Sequence, residues 1–191
     1  MSWVTVCAPL IHGDEGCAKA VVNMPGYFTT YLDATGTPTL GWGSTGPDII
    51  LGMVWSAAQC ESRFETQMAA FAAEVDRVVK VPINENQKAA LVCFEYNVGE
   101  GALASSTLLK LLNAGDYAGA AAQFHLWNHS KGVVLADLTE RRAQEATLFM
   151  TPVVGEPVAA PKPLPTPAQP VTPSNPLAGL VTWLLGLFKR K

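Results

Sequence analysis

Nine of the chain's 14 prolines fall between Pro152 and Pro176. Proline lacks a backbone N–H and holds φ near −65°, so so dense a stretch can neither continue a helix nor pair as an inner strand. It reads as an extended, semi-rigid linker of polyproline type. The 191 residues therefore divide into a front part over 1–151, a linker over 152–174 and a terminal segment over 175–191. Charge divides in the same place. No acidic residue follows Glu156, and Lys162, Lys189, Arg190 and Lys191 give the tail +4. The part before it holds nine basic and 16 acidic groups, or −7, so the formal −3 is the sum of two unlike objects. That acidity argues against a nucleic-acid-binding domain. An apolar content of 49% excludes an intrinsically disordered chain.

Within the front part, the first 50 residues are rich in Gly, Thr and Pro. YLDATGTPTLGWGST (31–45) suits a hairpin or small sheet, and Asn23-Met24-Pro25-Gly26 reads as a turn before it. Helical patterning begins at Ser56, which forms a capping box with Gln59. Phe64, Met68, Phe71, Ala72 and Val75 then make an apolar stripe, and Pro82 ends the helix near Lys80. Asn84 with Gln87 opens a second helix that Gly99 and Gly101 stop. Ser105 or Ser106 and then Asp116 cap two shorter ones, and Asp137 with Glu140 predicts the start of a last helix through Phe149. A small β-rich front with about five helices behind it predicts an α+β domain.

No run of about 18 apolar residues predicts a transmembrane helix. The opening MSWVTVCAPLIHGDEG carries no signal-peptide pattern, so synthesis in the cytoplasm is expected. The four cysteines show no metal-ligand spacing. Cys93, within ALVCFEY, reads as a buried thiol acting as a small apolar residue, with a Cys7–Cys17 disulfide as a further option.

Three polar groups in the front region fit glycosidic-bond chemistry: Glu15, Asp33 and Thr39. Such hydrolysis needs one protonated carboxyl for the leaving oxygen and a second carboxylate for the water or the developing cation. By themselves these three read equally well as a surface Glu, a turn Asp and a strand Thr, because 16 carboxylates offer many pairs.

The surrounding residues carry more. LIHGDEG and YLDATGTPTLGWGST resemble the Glu–Asp–Thr region of phage-type lysozymes, glycoside hydrolase family 24. NQKAALVCFEYNVGEGALASSTLLKLLNAGDYAGAAAQFHLWN is similar to that family's helical lobe, and LTERRAQEATLF to its closing helix. The resemblance implies a lysozyme-like two-lobed fold, with a small β-rich lobe and a mainly helical lobe joined by the long helix from Ser56. It implies hydrolysis, with inversion, of the β-1,4 bond between N-acetylmuramic acid and N-acetylglucosamine in peptidoglycan. Glu15 takes the place of the general acid, Asp33 of the partner carboxylate and Thr39 of the residue that holds the water. Arg141 matches the arginine that approaches the acid from the closing helix; the alternative is a helix-surface arginine pairing with Glu145. Tyr96, Asn97 and Thr107 match the substrate-binding far wall of the cleft. No metal or organic cofactor is expected, and the enzyme is expected to be a monomer.

Two features depart from the family pattern. The Glu15–Asp33 interval is extended by CAKAVVNMPGYFTT, and Ser44 follows GWG where the family often has His, which is expected to remove a structural contact to the hairpin. Beyond the linker, NPLAGLVTWLLGLFKRK predicts a helix capped by Asn175. From Leu177 to Phe188 it would be about 18 Å long at ~1.5 Å per residue, too short for a hydrocarbon core of roughly 30 Å. Leu180, Trp183, Leu184, Leu187 and Phe188 with Lys189, Arg190 and Lys191 instead suit an interface with anionic lipid or lipopolysaccharide. Docking on the catalytic domain is the other reading. The family analogy adds a holin as the partner for release into the periplasm. A lytic transglycosylase, which needs no partner carboxylate, and a catalytically impaired membrane-active protein are the alternatives.

Overall fold

Capping side chains mark out most of the helices. The computed structural model describes residues 3–15, 19–33, 36–99, 101–130 and 132–153. In chain order these form α1 (Trp3–Glu15), β1 (Tyr27–Thr29), β2 (Tyr31–Leu32), β3 (Pro38–Thr39), β4 (Val54–Ser56) and α2 (Ala57–Val78). Then follow α3 (Glu85–Val98), α4 (Ala102–Ser105), α5 (Thr107–Asn113), α6 (Tyr117–Gln123), β5 (His129–Ser130), β6 (Val133–Val134) and α7 (Ala136–Met150). All belong to the unit Met1–Pro161. The remainder, Lys162–Lys191, and with it the expected terminal helix, lies outside the described residues.

Both expected capping boxes are present. The Ser56 N–H donates to Gln59 Oε1 at 2.9 Å while Ser56 Oγ accepts the Gln59 N–H at 3.3 Å, opening α2. Asn84 and Gln87 exchange the same pair of bonds at 2.9 and 2.8 Å to open α3. Ser106 caps α5 and Asp116 caps α6. The expected Asp137–Glu140 capping pair does not form. The chain enters α7 at Leu135, whose N–H is held by the Asn128 carbonyl at 2.9 Å, and Asp137 falls inside the first turn. A carboxylate there still favours the helix through its dipole.

The apolar stripe read on α2 is the face that enters the core: Phe64, Met68, Ala72 and Val75 are buried and Phe71 half-buried. α3 occupies the middle, packed against α1, α2 and α7. Its Phe94 meets Phe124 and Trp127 edge-on, with ring centroids 5.3 and 5.2 Å apart. This is the mixed α+β architecture expected, with small two-stranded sheets beside a mostly helical body.

The first fifteen residues differ from expectation. A segment with Val4, Thr5, Val6 and a central Pro9 has weak helix propensity, yet α1 is helical. Burial of Cys7 and Ile11 against α3 overrides the local preference. The cysteine reading changes with it. Cys7 is bonded to Cys93, so neither the apolar thiol at Cys93 nor the Cys7–Cys17 pairing stands. These residues are 86 apart in sequence, and only the crossing of α1 over α3 brings their Cα atoms to 6.0 Å.

The additional residues before Asp33 also have a defined place. Ala20 bridges Phe28, the Val21 N–H bonds the Tyr27 carbonyl at 2.9 Å, and the turn passes through Asn23 at φ 69. β1 then pairs antiparallel with β4, Phe28 opposite Trp55. The extension is thus a hairpin laid against the strand that leads into α2.

Tyr117 gives the fold a pH dependence. Its hydroxyl donates to the Pro82 carbonyl at 2.6 Å, and burial pushes the phenol above its ordinary value of 10.0. A raised acid favours the folded state below its unfolded value and loses that contribution as pH climbs through the folded one. Denaturant midpoints of the wild type should therefore fall above about pH 10, and Tyr117→Phe should flatten that decline while costing roughly 1 kcal/mol at neutral pH. Parallel alkaline slopes would contradict this.

Candidate active site

Asp33 and Thr39 lie on the β2–β3 hairpin, where Tyr31 pairs with Thr39, Leu32 with Pro38, and Asp33 bonds Thr37 at the turn. One residue ties both to the same place. The Thr37 N–H donates to Asp33 Oδ1 at 2.8 Å, and the Thr37 carbonyl accepts the Asp33 N–H and the Thr39 hydroxyl, each at 3.0 Å. Gly36, at φ 84, supplies the left-handed turn this needs. The two consequences are chemical. A backbone N–H on the Asp33 carboxylate favours its ionised form. With its proton given to Thr37, the buried Thr39 hydroxyl turns lone pairs toward any further partner, so it can accept from a water.

Glu15 is the last residue of α1, and its side chain lies outside the described part of the structure. Described residues of α3, α7 and the hairpin pack on the rest of α1. Arg141 of α7 is buried, lining a small cavity with Leu10 and Ile11 of α1 and Cys93 of α3, so it is not a surface arginine. The next residue of this helix, Arg142, pairs with Glu145 at 2.7 Å. On the hairpin side, the His12 ring stacks on Trp42 with centroids 4.0 Å apart and 20° between planes. Trp42 Nε1–H donates to Glu61 Oε2 at 3.0 Å, and the Trp42 carbonyl accepts the Tyr96 hydroxyl at 2.6 Å.

Tyr96 therefore fastens α3 to the hairpin. Its ring also meets Phe64 and Phe71 edge-on, at 5.9 and 5.6 Å. Asn97 sits half-buried in the last turn of α3, and Thr107 is exposed at the start of α5. The contact expected to be lost at Ser44 is present in another form. The Ser44 hydroxyl donates to Gln67 Oε1 of α2 at 2.7 Å, so a short side chain holds the hairpin at the position where the family often has His. His12, Trp42 and Glu61 were not singled out by sequence reasoning. Their one sequence signal is the placement of His12 three residues before Glu15, on the same helix face.

With the hairpin, α1 and α7 described, the chain can be set beside known proteins. The family described as Phage lysozyme matches residues 26–145, which takes in Asp33, Thr39 and Arg141. The chain belongs to the phage lysozyme family. The matched span begins after Glu15. Among individual proteins, the endolysin of Bacillus phage B103 is 45% identical over 113 residues, 59% of this chain and 43% of that protein. The chain thus spans less than half the length of that relative. The SAR-endolysin of Escherichia phage Mu is 39% identical over 122 residues, covering 64% of this chain and 71% of that one. Among solved structures, the endolysin from Escherichia coli O157:H7 phage FAHEc1 superposes with a TM-score of 0.66 at 31% identity, over 78% of this chain and 94% of that one.

Proposed function

We propose that this phage lysozyme family member is an endolysin that works as a muramidase, hydrolysing the β-1,4 bond between N-acetylmuramic acid and N-acetylglucosamine in peptidoglycan to lyse the host cell. The observation that carries the reading is the Thr37 peptide, which binds the Asp33 carboxylate and the Thr39 hydroxyl into one water-accepting corner. In the proposed reaction Glu15 gives its proton to the leaving glycosidic oxygen as the bond to the anomeric carbon breaks. A water held by Thr39 attacks that carbon from the opposite face and passes a proton to Asp33. This inverts the sugar, and the two carboxyl groups must stand roughly 6.5–9.5 Å apart to admit the water. Arg141 would orient Glu15 from α7, and Tyr96, Asn97 and Thr107 would form the far wall for sugar hydroxyls. Glycan strands are the substrate, and the chemistry needs no cofactor.

Digestion of purified sacculi followed by mass analysis tests this. Reducing muramic-acid ends are expected, whereas anhydro ends would mean that the sugar's own 6-hydroxyl attacks and would replace hydrolysis by transglycosylation.

The route and the tail complete the proposal. Synthesis in the host cytoplasm, release with the help of a holin and action in the periplasm fit a wall-degrading enzyme. Leu180, Trp183, Leu184, Leu187 and Phe188, ending in Lys189, Arg190 and Lys191, would engage anionic membrane or lipopolysaccharide from the end of the proline spacer. Among the described residues no helix is long and apolar enough to cross a membrane. Removing residues 175–191 should leave hydrolysis of purified peptidoglycan unchanged and reduce co-sedimentation with vesicles containing anionic lipid. Undiminished vesicle binding would assign the tail another task.

A further inference from the structure

We infer that His12 is a positioning residue, holding the end of α1 in register with the β2–β3 hairpin by its stack on Trp42; this rests on the proposed hydrolytic reading. The two proposed halves of the site belong to different elements. Glu15 ends α1, and the chain beyond it runs out to the Ala20–Phe28 hairpin before returning to Asp33, so the covalent path gives little control of their separation. The shorter path is through space. His12 precedes Glu15 by three residues on one helical face, and Trp42 follows Thr39 by three residues. Their rings lie flat together at 4.0 Å.

Trp42 is itself immobilised. Its indole N–H is bonded to Glu61, its carbonyl to the Tyr96 hydroxyl, and the residue before it can only be glycine. Gly41 has φ +64, and a Cβ there would come within 2.9 Å of the Cys60 Cβ. The imidazole also meets Phe64, 4.6 Å away between centroids and tilted by 51°. Its Nε2 finds no hydrogen-bond partner among the described residues, and Glu61 Oε2 stands 3.9 Å away. With no hydrogen bond made there, the contact that fixes this side chain is the face of its ring. A flat ring stacked on a fixed indole and touching a buried phenyl sets position in a way that a flexible apolar side chain of similar size does not.

The test compares His12→Leu, which fills the space without a flat ring, with His12→Phe, which restores one. Steady-state rates on solubilised glycan strands are expected to show kcat lowered by about 10- to 100-fold in His12→Leu, the size expected when a reacting group is misplaced by about 1 Å. KM should stay within about twofold, since the loss arises in the reacting geometry and not in glycan binding. His12→Phe should recover kcat to within about threefold of wild type. A His12→Leu enzyme as fast as wild type would overturn the inference, as would a loss confined to KM or a His12→Phe variant as slow as His12→Leu. Unfolding of both variants, seen by circular dichroism, would overturn it too, because His12 would then be a core residue. Glu15→Gln assayed alongside separates the two readings. An active Glu15→Gln removes the proposed acid, whereas an inactive one beside a fast His12→Leu removes only the positioning role.

Discussion

Replacing Glu15 by glutamine should lower hydrolysis of peptidoglycan by about 10²- to 10⁴-fold, the usual worth of a positioned general acid. That corresponds to roughly 3–5 kcal/mol of lost transition-state stabilisation. Glutamine matches the shape of the side chain, but it has no proton that it can release to a leaving oxygen. The fold should survive the change. Glu15 is the C-terminal residue of α1, where the helix dipole disfavours a negative charge, so a neutral amide costs the helix nothing. Turbidity loss of a sacculus suspension and an unchanged melting temperature measure the two halves of this expectation. Because the family match begins at residue 26, this substitution is also the direct check on the most N-terminal part of the proposed site. Activity within a few-fold of wild type would take the acid role away from Glu15.

The second large effect concerns stability. Arg142 is fully buried, with its guanidinium 5.2 Å from the centre of the Phe94 ring and its Nη2 2.7 Å from Glu145 Oε1. Glu145 is itself 2% exposed. Removing one member of a buried ion pair typically costs about 3–5 kcal/mol. Arg142→Met should therefore depress the melting temperature by roughly 6–20 °C for a chain of this size. The double variant Arg142→Met/Glu145→Met, set against the two single variants, measures the coupling between the two charges, expected to be at least about 1 kcal/mol. Glu145 also lines the cavity beside Arg141 and α1. A single variant within about 1 kcal/mol of wild type would mean that solvent or another group satisfies Glu145.

These two predictions draw on different kinds of information. The helices that begin at Ser56, Asn84, Ser106 and Asp116 are legible residue by residue, since a capping side chain bonds a backbone group three positions on. The Asp33–Thr39 hairpin is legible for the same reason, its glycine and its hydrogen bonds lying within one short loop. What local rules miss is long-range. α1 has poor helix formers and is helical because Cys7 and Ile11 are buried. The start of α7 is set by a bond to Asn128, so the Asp137 cap is not used. The Cys7–Cys93 bond spans 86 residues that no spacing rule connects.

By itself the sequence determined the class of fold, the position of most helices and the placement of Asp33 and Thr39 in one hairpin. Each depends on contacts within a few residues, whose geometry the backbone already restricts. The tertiary structure decided how that hairpin is held to the rest. It buried Arg141 beside α1, gave the Ser44 hydroxyl to Gln67, tied Tyr96 to the Trp42 carbonyl and laid His12 flat on Trp42. Those contacts join residues far apart in the chain, and they form only where the packing of α1, α2, α3 and α7 brings their side chains within reach.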